Sequence, residues 1–573
     1  MTATTRERPG ALAEFTEWAG ERYEELPALR AKGAEPVTYG RLRDRVREIG
    51  RGLMAAGVGP GDRIGILGET RVEWTYAHFA VLAVGGVVVP VYPTAGESEV
   101  AWVLGDSGAQ LVLCESAAQA TRVAGAAPGV RTVLFDELGG LPRDSVTLDD
   151  FLARAASVRP TDLCSLVYTS GTTGPPKGCG LTHANFGAVL DGGAETIEGG
   201  PGDRTYLYLP LAHLLAQLIE FNTLMFGGEL CYFGGRIEDV VGELADVAPT
   251  HLPSVPRLFE KVHSVVLGLA ESQEGGRERF REAVRVGLLA AEGRLPDADL
   301  ATYEAAEKSL YGLVRGAFGG RLRWALTGGA PIAPQTLDFL RACSVPVYEG
   351  YGMTESGGVI SLNRPGAVRY GSVGRAYPGC EIRIAEEDGE VLARGPMVFA
   401  GYHGDPAATR QALDADGWLH TGDLGRLDAD GYLVITGRKK DLIITSAGKN
   451  LAPAPVEHAI QQSRYVSHAV MVGDRRPHPV ALITLDAEEI AAWAAREEHE
   501  PGEHPGRHPA VRELVRQAVE AANAQVSRPA RIRAFAVLDE DFSVMGGALT
   551  PTLKVRRRAV LERYADEIEE LYR

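Results

Sequence analysis

The sequence predicts an α/β protein of two domains. The larger, N-terminal one should hold mostly parallel sheets flanked by helices plus a small antiparallel, β-barrel-like region; the smaller, C-terminal one should be α+β. Three observations predict this. A chain of 573 residues exceeds what one hydrophobic core organises. From about Val37 to Pro160, helical stretches alternate with short apolar runs, the rhythm of right-handed βαβ units on a parallel sheet. Near Gly437 the texture changes to closely spaced short strands and helices, which sets a boundary between domains 1–436 and 437–573.

The elements follow in order. TYGRLRDRVREIGRGLMAAGV has helical spacing and leads through a GPGD turn into the apolar run GDRIGIL. VEWTYAHFAVLAVG is again helical; VVVPVYP and QLVLCE are strands, and LCSLVYTSG is a strand that empties into a loop. Residues from about 256 to 315 are helical and heavily charged, and LRWALTGGAP and VPVYEGYGMTE repeat the strand-then-loop theme. DGEVLARG and DGYLVITG read as strands of the antiparallel region, joined by Asp-Gly turns. Beyond the boundary come PVEHAIQQS as helix, HAVMVGD and PVALITLD as strands, and two further helical stretches.

Composition narrows the function. Apolar content of 45% and charged content of 24% are those of a globular protein. The longest apolar run, Phe79–Val91, is too short to span a bilayer, so no transmembrane segment is expected, while peripheral membrane contact is compatible with the sequence. MTATTRERPGALAEF has no hydrophobic region of a secretory signal. Six scattered cysteines without a CxxC pair read as buried thiols of a reducing compartment, and a cytoplasmic location is expected. A net charge of −17 argues against nucleic acid as partner. It also requires local positive groups wherever an anion binds.

One stretch carries the chemistry. In YTSGTTGPPKG (Tyr168–Gly178), eight of eleven residues are Gly, Ser, Thr or Tyr, with one lysine near the end. The whole chain has eight lysines against fifty-one arginines, yet Lys177, Lys439, Lys440, Lys449 and Lys554 fall in three short motif-like stretches. A strand feeding such a loop offers backbone N–H groups, hydroxyls and a cation to a polyphosphate. It is not a Walker A loop: Pro176 stands where that pattern has its second glycine, and Gly178 follows the lysine. GYGMTE is not a dinucleotide fingerprint either, because Glu355 occupies the position of the third glycine.

YTSGTTGPPKG with LTHANF, followed in order by YGMTES, HTGDLG, GRKKDLI and SAGKN, resembles the signature motifs of the adenylate-forming superfamily. LPLAH, VPRLFEKV and the ending FSVMGGALTPTLKVRRR are most similar to its long-chain fatty acyl-CoA synthetase branch. The resemblance implies a two-step reaction. A carboxylic acid attacks the α-phosphate of ATP, giving acyl-AMP and pyrophosphate; the thiol of coenzyme A then displaces AMP. It implies that Thr169, Ser170, Gly171, Thr172, Thr173, Gly174 and Lys177 hold the β- and γ-phosphates. It puts adenine against Gly329, Ala330, Pro331, Glu349, Gly350, Tyr351 and Gly352, and Mg²⁺ and the α-phosphate at Thr354 and Glu355. It assigns the ribose hydroxyls to Asp423 with help from Arg438, and the acyl carboxylate to the neighbourhood of His213. Lys554 is the implied catalytic cation, delivered by a mobile C-terminal domain that turns about Lys440. After that turn Gly448 and Lys449 reach the thiol's channel. The arginines after Lys554 are a further expectation, for the coenzyme A phosphates, and His183 is expected to be structural.

The acid is less constrained. LPLAHLLAQLIEFNTLMFGG should line the acyl pocket as a helix, and it carries Gln217 and Glu220 among apolar residues. Turned inward, they would put unpaired polar atoms along an alkyl tail; turned outward, they would not matter to it. Two readings therefore stand side by side. One is a fatty acyl-CoA synthetase. The other is an adenylating ligase for a small or aromatic acid, or another oxyacid such as nitrite, with an acceptor other than coenzyme A.

Overall fold

The computed structural model describes residues 8–169, 175–236, 239–446, 448–550 and 554–573. The expected loop residues Ser170, Gly171, Thr172, Thr173 and Gly174 lie outside these.

Two large sheets form the bulk of the molecule. The first has seven strands, and four neighbouring pairs among Arg63–Leu67, Val87–Val91, Leu111–Cys114, Arg131–Leu134 and Leu163–Thr169 are parallel. Val87–Val91 is buried at every position, as expected of a parallel strand covered on both faces. The second has nine strands, with a parallel centre that includes His251–Ser254, Trp324–Thr327 and Val347–Tyr351. Helix Val72–Ala83 is buried on nearly every side. One hydrophobic cluster runs from Leu12 to Leu419 through both sheets.

The antiparallel region is a four-stranded sheet that includes Glu390–Arg394, Leu419–Leu427 and Leu433–Arg438. Its Asp-Gly turns are as expected: Gly389 and Gly431 have φ of 77° and 80°, which glycine adopts without strain. Beyond residue 437 a mixed three-stranded sheet, Val466–Val472, Val480–Leu485 and Phe535–Val537, packs with helices around two clusters of its own.

What positions the site is the meeting of these pieces. The C-terminal ends of Leu163–Thr169, Trp324–Thr327 and Val347–Tyr351 all open on one cleft of roughly 3990 Å³, which residues beyond 437 close from the far side. Open α/β sheets present ligand sites at such strand ends.

Candidate active site

At the phosphate-loop stretch the chain does something the sequence did not announce. Leu163–Thr169 leaves the sheet and returns as the antiparallel strand Lys177–Thr182, with Thr169 opposite Lys177. The two strands that flank residues 170–174 therefore pair with each other as antiparallel neighbours of one sheet. Lys177 is the first residue of the returning strand, and its ammonium sits 5.1 Å above the ring of Tyr402. Tyr402 OH donates to Glu355 Oε1 at 2.8 Å. Glu355 and Thr354 lie on a short 3-10 turn after Val347–Tyr351, fixed by the Ser356 hydroxyl, which accepts from Met353 N–H at 3.0 Å. Glu355 is buried. Cation, phenol and carboxylate thus form one row along the cleft.

The expected adenine wall is made by the ends of two adjacent parallel strands, in which Thr327 pairs with Glu349. Gly352 has to be glycine: a Cβ there would stand 2.4 Å from the Gly358 carbonyl oxygen. Burial pushes the Glu349 carboxyl up to about 7. Glu349 Oε2 and Thr327 Oγ1 are both buried without a hydrogen-bond partner, and both residues face the cleft with Gly329, Ala330 and Pro331.

Asp423 and Arg438 face each other across two antiparallel strands. Arg438 Nε lies 3.0 Å from Asp423 Oδ1, and Tyr351 OH donates to Asp423 Oδ2 at 2.7 Å. The buried carboxylate is held on both sides with a fixed orientation.

Lys554 comes from the far domain to this point. Its N–H donates to Thr550 Oγ1 at 3.0 Å. Its side chain is exposed within the cleft, which is lined by residues of both regions. Burial lowers its pKa first; Arg438 and Lys440 push it further down, and Asp423 and Glu355 pull it up. Charges from three separate stretches of the chain, at 355, 423–440 and 554, therefore feel one another. Lys440, exposed to the cleft, is lowered for the same reasons, burial and then Arg438.

His213 has a role beyond the expected one. It caps helix Leu214–Met225, its Nδ1 accepting from Leu215 N–H at 3.1 Å. Burial and the Lys554 ammonium lower it to about 4, so at neutral pH the ring is uncharged with its proton on Nε2. His183 is structural as expected: fully buried, its Nδ1 accepts from Leu12 N–H at 3.1 Å.

Gln217 and Glu220 turn away from the cleft. Glu220 is fully buried against helix Val72–Ala83. It accepts from Thr75 Oγ1 at 2.5 Å and lies 2.7 Å from His78 Nδ1. Gln217 Nε2 donates to the Leu211 carbonyl at 3.0 Å. The cleft side of this helix is Leu214, Leu215, Leu218 and Ile219, and then Asn222 and Thr223.

Gly448 and Lys449 are not brought to the site. They sit by the two-stranded turn Ile443–Ile444/Asn450–Leu451, where Gly448 has φ of 73°, and neither faces the cleft. Arg557 is not offered to a ligand. It grips Glu457 in a two-pronged ion pair at 2.6 and 2.7 Å and donates to the Met471 carbonyl. Tyr402, Thr327 and Glu390, which accepts from Gly422 N–H at 2.8 Å just before Asp423, escaped the sequence reading. Each sits in an ordinary strand or loop with no spacing pattern to mark it.

Comparison with known proteins agrees with this geometry. Residues 15–403 match the family model described as AMP-binding enzyme, and residues 440–573 match that of the AMP-binding enzyme C-terminal domain. The chain is 38% identical over 562 residues to a long-chain-fatty-acid–CoA ligase of Mycobacterium tuberculosis, covering 94% of this chain and 92% of that one. It is 31% identical to the peroxisomal long chain acyl-CoA synthetase 7 of Arabidopsis thaliana, covering 94% and 81%. In fold it is similar to the O-succinylbenzoate coenzyme A synthetase of Bacillus subtilis solved with AMP, with a TM-score of 0.71 at 23% identity, covering 95% and 97%.

Proposed function

The chain belongs to the AMP-binding enzyme family, and from that premise we propose that it is an ATP-dependent long-chain fatty acid–CoA ligase. A carboxylate oxygen attacks the α-phosphorus of ATP, the bond to the bridging oxygen breaks, and pyrophosphate leaves. The thiolate of coenzyme A then attacks the acyl carbon and AMP leaves. The observation that carries the reading is one continuous cleft whose polar end gathers Lys177, Glu355, Asp423 and Lys554 and whose other end runs along the apolar side of Leu214–Met225. With Gln217 and Glu220 turned away, an alkyl tail meets Leu214, Leu215, Leu218 and Ile219 before it reaches the polar Asn222 and Thr223. The reason for preferring a small acid or nitrite goes with them.

The residues divide the work. Residues 170–174, with Thr169 and Lys177, hold the β- and γ-phosphates. Tyr351 stacks on the purine, while Glu349 and Thr327 offer hydrogen-bond partners to its edge. Asp423 takes the ribose hydroxyls. Lys554 approaches where two anions meet, lowering the repulsion between carboxylate and α-phosphate. His213 presents Nε2–H to the acid. Glu355, a single buried carboxylate beside Thr354, suits Mg²⁺, an ion that keeps several waters and binds mainly through phosphate oxygens; when bound, it neutralises charge on the leaving pyrophosphate.

The second step needs a different face of the C-terminal domain. The division at 436/437 and a turn about Lys440 would bring Gly448 and Lys449 to the cleft they now lie outside. Six buried thiols suit a reducing, cytoplasmic setting. The test is a pyrophosphate-release screen with fatty acids of several lengths, aryl acids and nitrite, each with and without coenzyme A. Release with long-chain acids and thioester formation only with coenzyme A are expected. Turnover confined to aryl acids or nitrite would overturn the reading.

A further inference from the structure

Glu390 joins two pieces of the machinery that no sequence motif connects. It opens the strand Glu390–Arg394 and its carboxylate is buried, 5% exposed. One oxygen, Oε1, accepts from the N–H of Gly422 at 2.8 Å, the residue immediately before Asp423. The other, Oε2, lies 3.2 Å from the ammonium of Lys439, the residue immediately before Lys440, and 3.2 Å from His420 Nδ1. Asp388 completes the cradle: its Oδ2 is 2.5 Å from the same ammonium, and its Oδ1 accepts from Glu390 N–H at 3.0 Å.

The last residues of strand Leu433–Arg438 and the start of the turn after it are therefore fastened twice. Arg438 is held by Asp423 and Lys439 by Glu390. Lys440 is the first residue past both fastenings. A lysine with an ordinary surface role would not need two carboxylates, one of them buried. An acidic pair at this position instead fixes where the rigid strand stops and the turning segment begins.

We propose that Glu390 is a positioning residue that sets the pivot of the C-terminal domain: by clamping Lys439 to the strand that carries Asp423, it confines rotation to Lys440 and beyond. The inference rests on the functional reading above. The cation at Lys554 is carried on the far side of that pivot, so slack at Lys439 becomes misplacement of the ammonium at the α-phosphate. A misplacement of this order slows chemistry without weakening binding. The ribose seat itself, Asp423 with Arg438 and Tyr351, is left whole.

The test uses the full chain with Glu390→Gln and Lys439→Gln, measured by hexadecanoate-dependent pyrophosphate exchange and by melting. Glu390→Gln keeps a neutral acceptor for Gly422 N–H and removes the ion pair. Lys439→Gln removes the same pair from the ammonium side, which is about half exposed (48%), and leaves Glu390 its Gly422 N–H and His420 partners; melting of both variants separates a folding loss from a rate loss. In each, kcat of adenylation is expected to fall about tenfold with KM for ATP within about twofold of wild type. The double variant should be no worse than either single one, and Lys439→Arg should restore most of the rate. Additive losses, a rise in KM for ATP that tracks a loss of melting temperature, or unchanged rates would each overturn the pivot assignment. A wild-type chain without acid-dependent exchange would instead sink the functional reading, so the two failures are told apart.

Discussion

The phenol of Tyr402 donates to Glu355 at 2.8 Å while its ring lies 5.1 Å beneath the ammonium of Lys177. One side chain thus orients the carboxylate expected to face Mg²⁺ and braces the lysine expected to face the terminal phosphates. Tyr402→Phe keeps the ring and removes only the hydroxyl. A hydrogen bond to a charged acceptor contributes about 1.5–3 kcal/mol, so a loss of about tenfold or more in adenylation is expected, with a raised Mg²⁺ requirement. Pyrophosphate exchange across a Mg²⁺ titration measures both. An unchanged titration would remove Tyr402 from the row.

The duty proposed for Lys554 belongs to the first half-reaction alone. Lys554→Ala should abolish acid-dependent pyrophosphate exchange yet leave synthetic acyl-AMP convertible to thioester. Equal loss of both steps would refute the division of duties.

The pH profile of adenylation follows from the environment of the same ammonium. Burial and Arg438 lower its pKa below the ordinary lysine value. The protonated form is the active one, so the rate at saturating ATP should fall as pH rises through that lowered value, earlier than for a free lysine. Arg438→Gln removes a repelling charge and should move the alkaline limb to higher pH. A limb that stays in place would assign it to another group.

The acyl pocket gives a paired prediction on one helix. Glu220→Ala takes from His78 Nδ1 its buried partner and leaves Thr75 only the Tyr232 hydroxyl, and should cost about 1–3 kcal/mol of stability, without altering chain-length preference. Ile219→Trp, on the cleft side, should shift preference to shorter acids. Denaturant melts and a chain-length series read the two effects separately. The opposite pattern would mean the helix is turned the other way.

Arg557 tests the boundary between structure and recognition. Its two-pronged pair with the partly buried Glu457 predicts that Arg557→Ala destabilises the C-terminal region by up to about 3 kcal/mol, seen as an earlier unfolding step. A rise in KM for coenzyme A at unchanged stability would restore the expectation that this arginine meets its phosphates.

Much of this was legible along the chain. The βαβ rhythm, the Asp-Gly turns and the glycines of EGYG follow from local rules of period and backbone freedom. The lysines stood out by their scarcity, because arginine does the solubility work elsewhere. The helix Leu214–Met225 was legible as a pocket-lining helix, but not which of its residues face the pocket. It is buried on almost every side, so no polar face marks which residues meet the cleft and which meet His78.

The sequence by itself determined which chemical groups are present, in what order, and on what local elements, since turns, strands and caps are decided by neighbours a few residues away. Only the tertiary structure decided that Glu220 looks inward to His78, that Tyr402 comes under Lys177, that Glu390 reaches both Gly422 and Lys439, and that Lys554 meets Asp423 and Glu355. These pairs come together through sheet order and domain packing, which depend on the sum of many weak contacts and leave no spacing rule along the chain.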